Sequence, residues 1–208
     1  MKNFKNYLLV GILGVGLMLT GCGDDDDVPA EENDPEVITD VTLIFTNQAD
    51  PSDVVRASAQ DPDDLGVEEL MVNDSITLVS GVTYTLTFEI LNAIDPNDIE
   101  DVGKDDIAEE DDEHQVFFAF TDGAFSSPMG DGNVDNPANA INYEDEDSDA
   151  QDGSGNPVGL ETSWTAGSEL TNGFFTAILM HQPGEKTATS SINDGEPDFD
   201  LTFVLNIE

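Results

Sequence analysis

"TYTLTFEIL", residues 83–91, decides the fold. Tyr84, Leu86, Phe88 and Ile90 fall on one side of an extended chain, and Thr83, Thr85, Thr87 and Glu89 fall on the other. Side chains alternate with a period of two in a strand and about 3.6 in a helix, so this stretch reads as a strand with one buried face. The aromatic and β-branched residues that fill it suit a pleated, half-buried surface.

The same pattern recurs in "DFDLTFVLNIE" (198–208), where Phe199, Leu201, Phe203, Leu205 and Ile207 share one face. "VITDVTLIFTN" (37–47) and "GFFTAILMH" (173–181) are apolar on parts of both faces, as central strands are. "HQVFFAF" (114–120) is short and almost wholly apolar, while "DVVRASA" (53–59), "SITLV" (75–79) and "GLETSW" (159–164) carry weaker strand signals. Turn pairs separate them at Ser80-Gly81, Ala166-Gly167, Asn172-Gly173, Pro183-Gly184 and Asp194-Gly195. One segment, "DPNDIEDVGKDDIAEE" (95–110), has a helical opening, with Asp95 placed to cap and Pro96 at the first helical position. Its apolar side is Ile99, Val102 and Ile107; Gly103 and the terminal acidic run work against a long helix. The expectation is one all-β domain over 37–208, an antiparallel immunoglobulin-like β-sandwich of seven to eight strands with a short acidic helical crossover.

The first 21 residues read differently. Lys2 and Lys5 precede an apolar run that ends in Leu19-Thr20-Gly21-Cys22. The run has the length of a secretory signal and is too short for a spanning helix of about 20 residues. Its ending resembles the lipobox of bacterial lipoproteins, which implies cleavage before Cys22 and acylation of that residue. Cys22 is the only cysteine, so a lipid anchor is the role expected of it. Residues 22–36, acidic and proline-bearing, form a solvated tether that cannot bury a core. The four aspartates Asp24 to Asp27 resemble the acidic export signal of surface lipoproteins in Bacteroidota. The expected address is the outer membrane, facing the cell exterior.

The chain carries 46 acidic and five basic side chains, a formal charge of −41. Loss of the signal leaves Arg56, Lys104 and Lys186 as its cations. Nucleic acid and anionic lipid surfaces need cationic patches and are therefore poor partners. Hydration, salt and bound cations are what such a surface needs.

Two constellations offer cation chemistry. In "EEDDEHQVFFAF" (109–120) five carboxylates run into His114, and the other histidine, His181, ends the strand 173–181. Brought to one pole of a sandwich, the two imidazoles with Glu113 and Asp112 would supply nitrogen and oxygen donors for zinc, copper or iron. Two axial histidines could also hold a haem. The plain alternative is two strand-end histidines bonded to backbone. The second constellation is "YEDEDSDAQDGSGNPVGLE" (143–161), where Asp145, Asp147, Asp149 and Asp152 space oxygens for calcium, although the EF-hand pattern fails at its sixth and twelfth positions. A further loop, 122–136, offers Asp122, Asp131, Asn133 and Asp135. Trp164 reads as core or, less simply, as a sugar platform. Nucleophile elbows, H-E-x-x-H and phosphate loops do not occur in the sequence, so binding is expected rather than catalysis, with hydrolysis by an unmarked carboxylate pair left open.

"DEHQVFF" (112–118), "GNPVGLETSW" (155–164) and "LMHQPGEK" (179–186), in this order behind a lipobox and an acidic tether, resemble a set of uncharacterised surface lipoproteins of Bacteroidota. The resemblance implies a partnership with a TonB-dependent outer-membrane receptor and capture of a nutrient or metal. A calcium-stiffened structural or adhesive module is the alternative function.

Overall fold

The computed structural model describes residues 36–61, 70–145 and 157–208, all within one unit, Asn33–Glu208. Residues 1–35, with Cys22 among them, and Asp147, Asp149 and Asp152 lie outside the described residues. Ten strands form among the described residues: β1 (Asp40–Asn47), β2 (Val54–Gln60), β3 (Met71–Val72), β4 (Ile76–Leu78), β5 (Thr83–Leu91), β6 (His114–Phe120), β7 (Phe125–Ser127), β8 (Glu161–Ala166), β9 (Leu170–His181) and β10 (Glu196–Ile207). They make a six-stranded sheet in the order β3-β2-β1-β5-β8-β7 and a four-stranded sheet in the order β4-β10-β9-β6. All pairings are antiparallel except β4 on β10.

Alternation fixes which faces meet. Val41, Leu43 and Phe45 of β1 and Tyr84, Leu86 and Ile90 of β5 are buried against Val116, Phe118 and Phe120 of β6, Phe175, Ala177 and Leu179 of β9, and Leu201, Phe203 and Leu205 of β10. Each such side chain contributes about 1.5–3 kcal/mol when fully removed from water, which makes this sandwich core the main source of stability. Trp164 is fully buried and meets Phe118, Phe120, Phe125 and Phe175 edge-on, with centroids 4.9 to 5.4 Å apart. It is a core residue, and the sugar-platform reading falls with its exposure. A smaller cluster, Phe117, Ile178 and Met180, lies on the outer face of the four-stranded sheet under Val134 and Ile192.

The sandwich expectation holds, with more strands than expected. β3 and β7 have two and three residues, too few to show alternation in the sequence. The crossover is less helical than its opening suggests. Asp95 caps a turn, accepting the Asn97 N–H at 2.9 Å, and Asn92 then bridges Glu100 as extended chain. A single π-helical turn follows at Gly103–Ile107. Gly103 lies against Ile90, where an added Cβ would stand 3.3 Å from the Ile90 Cβ. Val102 and Ile107 are buried as the amphipathic reading expects, and Ile99 is exposed.

Candidate metal centre

Two parities bring the histidines together. His114 continues the inward row Val116, Phe118, Phe120, and His181 continues Phe175, Ala177, Leu179. In the antiparallel pairing of β6 with β9, His114 stands directly opposite His181. Directly opposed side chains share a face with Cβ atoms about 5 Å apart. The imidazoles accordingly stack, centroids 4.5 Å apart and planes 6° from parallel. His114 is wholly buried and His181 6% exposed, so the pair forms the last layer of the core at one pole.

The acidic run 109–113 folds into a tight turn beside them. The Glu110 carbonyl accepts the N–H groups of Glu113 at 2.9 Å and His114 at 3.2 Å. His114 Nδ1 lies 3.2 Å from the same carbonyl, which assigns the ring proton to Nδ1 and leaves a lone pair on Nε2. The turn is tied down from the β9–β10 side: the Gln182 N–H donates to the Glu113 carbonyl at 2.6 Å, and the buried Lys186 ammonium donates to the Asp111 carbonyl.

Asp198 completes the pole, and a bulge puts it there. β10 slips register between Pro197 and Phe199 against β9. Strict alternation would send residue 198 to the face opposite Phe199; the extra residue re-aims it. Its side chain is fully buried, with Oδ2 at 3.5 Å from His114 Nε2. Neither atom has a hydrogen-bond partner. Oδ1 accepts the Glu36 N–H at 3.1 Å. His181 Nε2 is 3.4 Å from Glu113 Oε2, and Glu110 Oε2 is 4.0 Å from His114 Nδ1. Donor atoms of Glu110, His114 and His181 all lie within 4.8 Å of one another.

Burial, with the neighbouring His181 second, pushes the His114 pKa down to about 4, and burial pushes the Asp198 carboxyl up to about 6. Both shifts disfavour the charged forms, the imidazolium of His114 and the carboxylate of Asp198. Glu36 is pushed up by burial first and then by Asp106, Asp198 and Glu110.

Of the residues marked in the sequence, His114, His181 and Glu113 are brought together. Asp112 is exposed and takes no part in these contacts. Glu110, Asp198 and Glu36, which no sequence motif singles out, join the same pole. The stacked rings touch, so a porphyrin cannot pass between them with one histidine on each side. At the other loops, Asp145 Oδ2 accepts the N–H groups of Gly159 at 2.5 Å and Leu160 at 3.1 Å, tying the ends of the 143–161 loop. Asn133 accepts the Phe118 N–H at 2.8 Å and donates to the Tyr143 hydroxyl at 3.0 Å, covering the edge of β6. No protein family, curated protein or solved structure matches the chain.

Proposed function

We propose that the protein is a lipid-anchored, outward-facing binding protein of the outer membrane that captures a divalent transition-metal ion between His114 and Asp198 for a TonB-dependent receptor. The address and the partner class rest on the lipobox-like ending at Cys22, the acidic tether and the lipoprotein resemblance in the sequence. The immunoglobulin-like character of the sandwich belongs to the same reading. Binding rather than catalysis fits a chain without hydrolytic motifs.

One observation carries the metal. Two buried acceptors, His114 Nε2 and Asp198 Oδ2, face each other at 3.5 Å without a hydrogen-bond partner. Unpartnered buried polar atoms are costly, at about 1–3 kcal/mol each, so something positive belongs between them. A shared proton would draw the atoms to a charge-assisted distance of about 2.7–2.9 Å. Metal–ligand bonds of about 2.0–2.1 Å in tetrahedral geometry give an edge of about 3.4 Å. A separation of 3.5 Å is compatible with a bridging ion. The neutral imidazole is ready as a ligand, because a proton competes for it only near pH 4. Nδ1 against the Glu110 carbonyl fixes the tautomer, as ligating histidines require. A nitrogen and oxygen donor set without sulfur suits zinc, copper(II) or iron(II).

The test is elemental analysis of the full chain, purified in detergent, stripped with chelator, loaded with zinc and desalted. About one equivalent is expected, lost in His114→Gln and in Asp198→Asn while circular dichroism is unchanged. Failure of the wild-type chain to retain zinc, or retention by both variants, overturns the reading.

A further inference from the structure

Asp198 joins the pole to Glu36, the first described residue. Its Oδ2 faces His114, and its Oδ1 holds the Glu36 backbone N–H at 3.1 Å. Glu36 is only partly buried, yet two residues later Ile38 is in the core and Thr39 pairs with Leu91. Glu36 thus lies two positions before Ile38 in the core, and its backbone N–H is held by a carboxylate whose other oxygen lacks a hydrogen-bond partner.

We infer that ion binding at His114 and Asp198 fastens the chain at Glu36, so that metal occupancy and order at this junction are thermodynamically linked. The inference rests on the metal reading above. A carboxylate ligated through one oxygen is locked in orientation, and its free oxygen becomes a fixed acceptor for the Glu36 N–H. Groups that hydrogen-bond to metal ligands orient them, and their loss costs about 10–100-fold in affinity. The side-chain charge acts in the same direction. Glu36 shares this pole with Asp106, Glu110 and Asp198, and a dication on Asp198 replaces mutual repulsion by attraction. Linkage is reciprocal: whatever factor metal contributes to fastening Glu36, the fastened junction returns to metal affinity. An accessory protein that delivers an ion would then differ between loaded and empty states at the junction with its N-terminal segment, where a receptor can sense the difference.

Hydrogen exchange on the full chain in detergent, with and without zinc, reads the junction directly. Zinc should slow exchange of the Glu36 amide at least tenfold beyond any slowing across the β1–β5 pairing. Glu36→Pro, which lacks the N–H, should bind zinc about tenfold more weakly, while Glu36→Gln, which keeps it, should stay within about threefold. Zinc bound at one equivalent, with Glu36 exchange unchanged and Glu36→Pro affinity unchanged, overturns the coupling and leaves the metal reading standing. Absence of zinc binding in the wild-type chain overturns the metal reading, and the coupling with it.

Discussion

His114 and His181 stack face to face across β6 and β9, centroids 4.5 Å apart and planes within 6°. An ion bound to an imidazole lies in the ring plane, on the lone-pair axis. Two nearly parallel planes held apart by ring contact do not aim their lone pairs at a common point, so an ion shared by both rings would require one ring to turn. Each ring instead faces its own carboxylate, His114 with Asp198 and His181 with Glu113. Only the first of these pairs lacks a hydrogen bond. The stack holds the His114 ring in place.

At the proposed site, His181→Phe should therefore still bind zinc. A flat ring still covers His114, and affinity should fall by about tenfold or less, as for an outer group. A titration with a competing chelator checks this. Complete loss in His181→Phe would place the ion instead among Glu110, His114 and His181, whose donor atoms lie within 4.8 Å of one another.

Asp198→Asn separates function from stability. The variant removes a buried carboxylate that faces a lone pair, and the new amide N–H can donate to His114 Nε2. At pH 7 zinc affinity should fall more than 100-fold while the chelator-treated melting temperature holds or rises, a gain of about 1 kcal/mol for one satisfied pair. Asp112→Asn, on an exposed neighbour, should change neither quantity. A melt lowered by several degrees in Asp198→Asn would mean that its carboxylate supports the fold.

The metal-free protein should show an unusual flatness with pH. His114 has its folded pKa depressed, from 6.5 to about 4, so protonation of the unfolded chain draws stability away as pH falls from about 6.5 to 4. Asp198 has its folded pKa raised, from 3.8 to about 6, so the folded state takes up a proton first and gains stability as pH falls from about 6 to 3.8. The two contributions oppose each other over nearly the same window, each about 3 kcal/mol in full. Denaturant unfolding in chelator should give nearly constant stability from this pair between pH 6.5 and 4. In Asp198→Asn the compensation is gone, and stability should fall by about 3 kcal/mol relative to wild type over that range. Parallel pH profiles for the two proteins would sink this account.

Period two was enough to assign the faces of 83–91 and 198–208, but 114–120 and 173–181 are apolar on both faces, so only the packed sandwich shows that His114 continues the inward row of Val116 and Phe118, and His181 that of Leu179 and Ala177. Their direct opposition was not legible, because register depends on how two distant strands slide. Asp198 was hidden for a sharper reason: alternation assigns it to the outer face, and only the bulge beside Pro197 brings it in. Proline inside a strand was the available signal, being confined to edges and bulges. Glu110 stood among five equivalent carboxylates until the turn onto the His114 N–H singled it out. Asp112 has the same chemistry and the wrong side of the turn.

Gly195 gives the last prediction, because it sets how closely the β9–β10 connection passes the pole. Its φ is +86°, in the left-handed region, and an added Cβ would run into the His181 carbonyl and the Gln182 Cα. Gly184, in the same connection, also has positive φ (+65°) but open space where a Cβ would go. Alanine at 184 pays only the conformational penalty, about 1–2 kcal/mol. Alanine at 195 adds a backbone collision, which relaxes only by moving β9 and β10 apart where His181 and Asp198 sit. Gly195→Ala should thus cost clearly more stability than Gly184→Ala, and it alone should weaken zinc binding. Thermal melts and zinc titrations of the two variants side by side decide it. Equal losses would show that the connection does not position the site.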